Sequence, residues 1–112
     1  MEHIMKLKDK YYNYILHGTK RIEIRLLDEK RRKIKIGDTI RFYKLPDMNE
    51  NIVVKVIDLL YYNTIEELIR DNDMELLCDK KVTKEELIEI FNQIYSKEEQ
   101  EKYGILGIKI AL

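Results

Sequence analysis

The sequence predicts an α+β fold in which a small mixed or antiparallel β-barrel carries flanking α-helices. The residue pattern predicts elements in the order β-α-β-β-β-α-α-β, without the regular strand–helix alternation that parallel βαβ repeats require. A length of 112 residues suits a single domain over residues 1–112. Hydrophobic residues make up 45% of the chain, which is enough for one packed interior.

The first third of the chain predicts a strand, a helix and a second strand. Residues 3–8 predict the strand, and the helix after it is expected to be capped by Asp9 and ended by Gly18. Residues 20–27 alternate between apolar and charged side chains, as in a strand with two unlike faces. The two sets are Ile22, Ile24 and Leu26 on one face and Arg21, Glu23 and Arg25 on the other.

Strand and turn signals follow in the middle of the chain. Gly37-Asp38 predicts a turn before a strand over residues 39–43. The only proline, Pro46, lies in the most loop-like segment, residues 45–51. Residues 52–62 form a β-branched and aromatic run, which predicts a central strand.

The last half predicts two helices and a closing strand. The spacings Thr64–Glu67 and Thr83–Glu86 are those of capping boxes, and each is expected to open a helix. The second helix has an apolar stripe of Leu87, Ile88, Phe91, Ile94 and Tyr95. The closing strand, residues 104–112, places Leu106, Ile108, Ile110 and Leu112 on one face, and Gly107 is expected to admit a second backbone.

Composition narrows the function classes. The single cysteine, Cys78, excludes an internal disulfide and predicts a reducing, cytoplasmic setting. Besides this cysteine, the chain has only two histidines, His3 and His17, which are too few for a typical zinc site. We therefore predict no metal site, and we also predict no cofactor. No apolar run reaches the roughly 18 residues of a membrane span, so we expect no membrane partner.

The net charge of zero conceals an asymmetry. Residues 1–45 contain 13 Lys and Arg against 6 Asp and Glu, whereas residues 46–112 contain 8 against 15. The basic half predicts either a footprint for a polyanion or charges that pair with the acidic half in the folded chain.

The strongest local signal is the octamer from Gly18 to Arg25, with the pattern G-x-K-x-x-E-x-R. Glu23 and Arg25 stand two apart on a strand and point the same way, about 6.6–6.8 Å apart. They can form a pair, or present an acceptor and a forked donor to a base edge or phosphate. Lys20 can contact a phosphate or, if desolvated, serve as base or nucleophile. The alternative is a solvated strand face with an ion pair worth under about 1 kcal/mol.

Two further features bear on nucleic-acid binding. The cations Lys30, Arg31, Arg32 and Lys33 lie in one loop and predict contacts with backbone phosphates. The alternative is a solvated loop that pairs with neighbouring acids. Among the eight tyrosines, at least one of Tyr11, Tyr12 and Tyr14 is expected to reach the cleft or solvent. Tyr43, Tyr61 and Tyr62 fall at strand ends, where cleft walls form.

The octamer, together with Gly37-Asp38-Thr39-Ile40 and residues 103–108, resembles the ASCH (ASC-1 homology) domain. The resemblance implies a PUA-like β-barrel, a cleft beside the N-terminal helix with Gly18, Lys20, Glu23 and Arg25 at its edge, and a role in RNA metabolism. We therefore predict a domain that binds RNA, a nucleoside or a nucleotide. The oligomeric state stays open.

The resemblance also implies a hydrolase as the alternative. Some family members deacetylate N4-acetylcytidine, and ribonuclease activity occurs in others. In the deacetylases the motif lysine works with a threonine, where this chain has Glu23, and with a glutamate that would fall near Lys80 or Asp79. On this alternative Lys20 is the nucleophile or proton shuttle and Glu23 the base. A third hypothesis is a protein-interaction domain in which the motif is structural.

Overall fold

A computed structural model describes all 112 residues of the chain. It contains five strands, five α-helices and a short 3₁₀ turn over Arg31–Lys33. The strands are β1 (Glu2–Leu7), β2 (Ile22–Leu26), β3 (Thr39–Lys44), β4 (Asn51–Tyr62) and β5 (Ile105–Ala111). The helices are α1 (Asp9–Leu16), α2 (Ile65–Asp71), α3 (Met74–Leu77), α4 (Lys84–Ile94) and α5 (Lys97–Tyr103).

All five strands form one sheet in the order β1-β3-β4-β5-β2. β1 pairs with β3 in parallel, and the other three pairings are antiparallel. The sheet curls into a half-barrel whose two edges are β1 and β2. The predicted α+β barrel class is thereby confirmed, and β4 lies at the centre of the sheet as its β-branched sequence predicts.

Each face of the sheet has its own hydrophobic core. One core packs α1 on the sheet and is built from residues such as Tyr12, Ile15, Phe42, Val54 and Ile108. The other packs the remaining helices on β2 and β5 and includes Ile22, Ile65, Leu68, Leu77, Phe91 and Ile105. Because β2 contributes apolar side chains to the second core, its alternate residues Glu23 and Arg25 face the α1 side.

Two helices were not predicted. Ser96 is the N-cap of α5 and forms a complete capping box with Glu99. The spacing is the same as at the start of α4, so the signal for α5 is present in the sequence. α3 is a single turn, too short to show helical periodicity. At α1, the predicted cap Asp9 is instead the first helical residue, and Lys8 occupies the N-cap without a side-chain hydrogen bond.

Three details of the predicted faces were wrong. Ile94 leaves the apolar stripe of α4 and is 57% exposed, because the helix ends there. Leu112 lies beyond the end of β5 and is 70% exposed. Side chains, and not a second backbone, pack against Gly107, since a Cβ atom there would lie 3.3 Å from Leu68 Cδ1. None of the helices combines the length and the apolar character needed to cross a membrane.

Candidate functional site

The open side of the half-barrel forms a cleft of about 260 Å³ between β1 and β2, the two strands that have no partner on one edge. Helices α1 and α4 stand on either side of it. Lys6 and Lys8 are exposed on its β1 side, while Glu23 and Arg25 line it from β2. The motif octamer therefore reaches a cleft beside the N-terminal helix.

A turn at the end of α1 brings Lys20 into this region. Gly18 takes the left-handed conformation (φ 76°) that the sequence predicts, and the chain then reverses into β2. Lys20 is only 5% exposed. Its Nζ donates to the carbonyl oxygens of Ile22 and Leu77, both at 2.6 Å, and lies 3.3 Å from Glu23 Oε1. The three N–H bonds of the ammonium group thus have three acceptors.

Glu23 connects the two motif cations. The residue is 4% exposed, and its second carboxylate oxygen, Oε2, lies 2.9 Å from Arg25 Nε and 2.8 Å from Arg25 Nη2. Burial alone would raise the pKa of Glu23, but the charges and hydrogen bonds of Arg25 and Lys20 outweigh burial and lower that pKa below its usual value. The carboxylate is therefore ionised at neutral pH.

Arg25 joins the two edges of the sheet. Its Nη2 donates to the carbonyl oxygen of Lys6 at 3.0 Å. Burial would lower the pKa of Arg25, but the Glu23 carboxylate and the Tyr95 side chain raise it. Together, Lys20, Glu23 and Arg25 form a hydrogen-bonded cluster with one excess positive charge.

The basic loop contains one ion-paired cation, Arg31, and three exposed cations without an ion pair, of which Arg32 donates from Nε to the carbonyl oxygen of Leu27 at 3.2 Å. Arg31 is held by Asp28, whose Oδ2 lies 2.8 Å from Arg31 Nη1 and whose Oδ1 accepts the backbone N–H of Arg31. Lys30, Arg32 and Lys33 are exposed, and none of the loop cations lines the cleft. The structure thus brings Lys20, Glu23 and Arg25 together and leaves the loop as a separate basic surface.

Sequence reasoning missed most of the fifteen residues that line the cleft, among them Lys6, Lys8, Ile90 and Tyr95. Lys6 and Lys8 lie just before α1, but nothing in the sequence says that β1 is an edge strand. Tyr95 packs against the second core as the predicted stripe requires, and it also contacts Arg25 from its position directly after α4. Tyr11 is the helix tyrosine that reaches the cleft, whereas Tyr43, Tyr61 and Tyr62 do not line it.

Two other candidate chemical groups, Cys78 and Asp79, lie on the segment that directly follows Leu77, whose carbonyl oxygen accepts from Lys20. Cys78 is buried, and burial raises the pKa of its thiol. Asp79, near which the sequence comparison places a catalytic acid, accepts the backbone N–H of Lys81 instead, and this segment reaches Lys20 through the Leu77 carbonyl. No group of three or more His, Cys, Asp or Glu side chains is placed to hold a metal ion.

Comparisons with known proteins agree with this architecture. A family model described as the ASCH domain matches residues 5–112. The crystal structure of hypothetical protein PH0355 superposes with a TM-score of 0.87 at 34% identity, covering 98% of this chain and 97% of that one. The solution NMR structure of Protein PF0455 from Pyrococcus furiosus gives a TM-score of 0.79 at 34% identity, covering 98% and 96%. No curated protein matches the chain.

Proposed function

Because the chain belongs to the ASCH domain family, we propose that it binds RNA or a nucleotide in the cleft between β1 and β2. The observation that carries the proposal is the Lys20–Glu23–Arg25 cluster, in which Lys20 and Glu23 are buried and Arg25 is partly exposed. The cluster presents one excess positive charge to a cleft with two exposed lysines on its rim. An anionic ligand would meet cations both in the cluster and at the rim. The only carboxylate that lines the cleft, that of Glu23, is neutralised by its ion pairs with Lys20 and Arg25.

The walls of the cleft suit one nucleotide unit. Tyr11 lies on α1 and Tyr95 directly follows α4, and a base that stacks on a tyrosine gains about 1–3 kcal/mol. The volume of about 260 Å³ lies just below the roughly 300–1,000 Å³ of drug-sized pockets. A single base with its sugar is the scale of ligand we expect, with adjacent phosphates near Lys6 and Lys8.

The geometry favours binding over hydrolysis. The Lys20 ammonium already donates to three acceptors, so nucleophilic attack would first require those contacts to break. A carboxylate whose pKa is lowered, as in Glu23, is a weak general base at neutral pH. We therefore assign the cluster to ligand positioning: Glu23 orients Arg25, and Lys20 orients Glu23.

The test is fluorescence anisotropy with a short labelled single-stranded RNA over a series of salt concentrations. The variant Lys6→Gln/Lys8→Gln removes the rim charges, and Lys55→Gln/Lys97→Gln removes two exposed lysines outside the cleft. For two lost phosphate contacts we expect the slope of log K against log salt to shrink by roughly 1.4, because each contact contributes about 0.7 on single strands.

The control pair has the same change in net charge. A general electrostatic effect would reduce affinity and slope equally in both double variants, and that result would contradict binding in the cleft. If the wild-type protein has no measurable affinity for RNA at low salt, the proposal that the cleft binds RNA is overturned. Titration with a mononucleotide then tests whether the cleft binds a nucleotide.

A further inference from the structure

A second cavity, distinct from the cleft, lies where β2 begins and β5 ends, beside the C-terminal end of α1. Its volume is about 480 Å³, within the roughly 300–1,000 Å³ of small-molecule sites and larger than the cleft. We call it the end pocket. Lys20 lines both cavities and so forms part of the wall between them.

The floor of the end pocket is aliphatic. Its base consists of four residues from four different elements that are at most 4% exposed: Ile15, Ile22, Val54 and Ile110. Its accessible apolar surface comes from the lining residues that are not buried: Ile57, Leu76, Ala111 and Leu112. No aromatic ring lines the pocket, so a nucleobase would find no stacking partner there. The floor also has no polar side chain that could read a base edge. A flexible aliphatic group is the moiety that this surface matches.

Every charged side chain that lines the end pocket is a cation. They are Lys20, Arg21 and Lys109, and no carboxylate side chain accompanies them. Lys20 has all its acceptors within the protein, but Arg21 and Lys109 form no ion pair. Arg21 Nε donates to the carbonyl oxygen of Gly18 at 3.3 Å, which ties the guanidinium to the turn before β2. The two unpaired cations complement an anionic head group.

The strand beside the pocket is irregular. The β4–β5 register shifts between Val56 and Asp58, so Ile57 stands outside the regular pairing. Ile57 is 50% exposed and lines the pocket. Bulges of this kind concentrate at barrel rims and beside binding sites, where they redirect a side chain. Here the bulge adds an aliphatic side chain to the rim, which extends the apolar surface of the floor outward.

From these features we propose that the end pocket binds a medium-chain aliphatic carboxylate. The carboxylate would accept hydrogen bonds from Arg21 and Lys109, and the tail would lie against the accessible aliphatic residues Ile57, Leu76, Ala111 and Leu112. This site is separate from the nucleic-acid cleft, and its occupancy does not depend on the function proposed for that cleft.

The experiment is a titration of the full chain with octanoate, followed by two-dimensional NMR of its methyl and backbone signals. Octylammonium has the same tail with the opposite charge, 1-octanol has no charge, and acetate has no tail. We expect saturable shifts around Ile15, Ile22 and Ile110 with octanoate, weaker ones with 1-octanol, and none with octylammonium or acetate. Equal responses to octanoate and octylammonium, or shifts confined to the cleft, would overturn the proposal.

Two variants separate the head site from the tail site. Arg21→Gln/Lys109→Gln should weaken octanoate binding about tenfold or more through lost charged hydrogen bonds. The control Lys97→Gln/Lys102→Gln makes the same charge change on α5, at the other end of β5 from the pocket, and should leave the affinity unchanged. Ala111→Phe places a ring in the pocket and should abolish binding of octanoate. Circular dichroism and thermal melting establish that each variant is folded. Unchanged affinity in a folded Arg21→Gln/Lys109→Gln variant would contradict the assigned head site.

Discussion

The guanidinium of Arg25 on β2 donates from Nη2 to the carbonyl oxygen of Lys6 on β1, across 3.0 Å. These two residues belong to the opposite edges of the sheet, which no strand pairing joins. The same nitrogen lies 2.8 Å from Glu23 Oε2, so one group holds the buried carboxylate and bridges the open side of the half-barrel. The cleft is therefore held at a defined width by a motif side chain instead of a backbone ladder.

Removal of the Arg25 side chain should destabilise the fold. Arg25→Ala leaves the buried Glu23 carboxylate with Lys20 alone, and loss of one partner from a buried pair costs about 3–5 kcal/mol. Arg25→Lys keeps the charge but not the fork, so its free energy of unfolding should lie between those of the alanine variant and the wild type. Urea unfolding measures the difference.

Arg21→Ala is the matched control, because Arg21 precedes β2 and is exposed. Its free energy of unfolding should stay within about 0.5 kcal/mol of the wild-type value. An Arg25→Ala variant that loses no more stability than Arg21→Ala would show that the bridge and the buried pair are not structural.

The stability of the fold should depend on the ionisation of Glu23 at acid pH. The pKa of Glu23 is lowered in the folded protein from its usual 4.5, so the unfolded chain binds the proton more tightly. The stabilisation is then complete above pH 4.5 and disappears as the pH falls through the lowered folded-state pKa. Urea unfolding between pH 7 and pH 2.5 should show a loss of stability that is smaller in Glu23→Gln.

Asp38 titrates in the same range, because its hydrogen bonds to His3 and to the Lys35 backbone lower its pKa to about 2. That contribution is common to the wild type and the Glu23→Gln variant and cancels in their difference. Parallel stability curves for the two proteins from pH 7 to pH 2.5 would contradict an ionised, stabilising Glu23.

The basic loop should contribute to RNA affinity without contributing to the fold. Lys30, Arg32 and Lys33 are exposed, and their replacement by glutamate should weaken RNA binding and flatten its salt dependence. Anisotropy titrations at several salt concentrations measure both effects. The thermal midpoint of the triple variant should remain near the wild-type value.

The variant Arg31→Ala tests whether the one ion-paired cation of the loop has a structural role. Since Arg31 is held by Asp28 within the loop, its loss should lower the thermal midpoint and change the salt slope little. If Arg31→Ala and the triple glutamate variant had the same effect on RNA binding, the loop would not divide as the contacts indicate.

Gly107 should not tolerate a methyl group. A Cβ atom there would lie 3.3 Å from Leu68 Cδ1 and 3.4 Å from both Ile22 Cγ2 and Leu60 Cβ, a fully packed position. Gly107→Ala should cost about 1–3 kcal/mol in urea unfolding through overpacking. Shortening the closest neighbour should relieve the clash, so Gly107→Ala/Leu68→Ala should lose less than the sum of the single variants. Strict additivity would show that this contact does not limit the position.

The elements that the sequence predicts well are those with strong local signals. The side-chain cap at Thr64, the capping box at Thr83, the left-handed Gly18 and the β-branched run of β4 each place an element correctly. The overlooked box at Ser96 marks α5 with the same local chemistry. Local hydrogen bonds and backbone propensity suffice for such features, because every atom involved lies within a few residues of chain.

Burial of the charged face of β2, by contrast, cannot be predicted from local signals in the sequence. The alternation of Glu23 and Arg25 is equally typical of a solvated strand face, and only the arrangement of α1, α4 and β1 around β2 removes these side chains from water. Likewise, the Leu77 carbonyl that receives the Lys20 ammonium lies 57 residues further along the chain.

The sequence by itself determined the α+β class, the element boundaries near strong caps, and the family pattern carried by Gly18, Lys20, Glu23 and Arg25. Only the tertiary structure decided that three of these residues form one buried cluster, that the basic loop stands apart from the cleft, and that a second cavity opens at the end of the sheet. Burial and ion pairing depend on which segments meet across the sheet, and side-chain periodicity along one strand is the same whether its polar face meets water or another part of the chain.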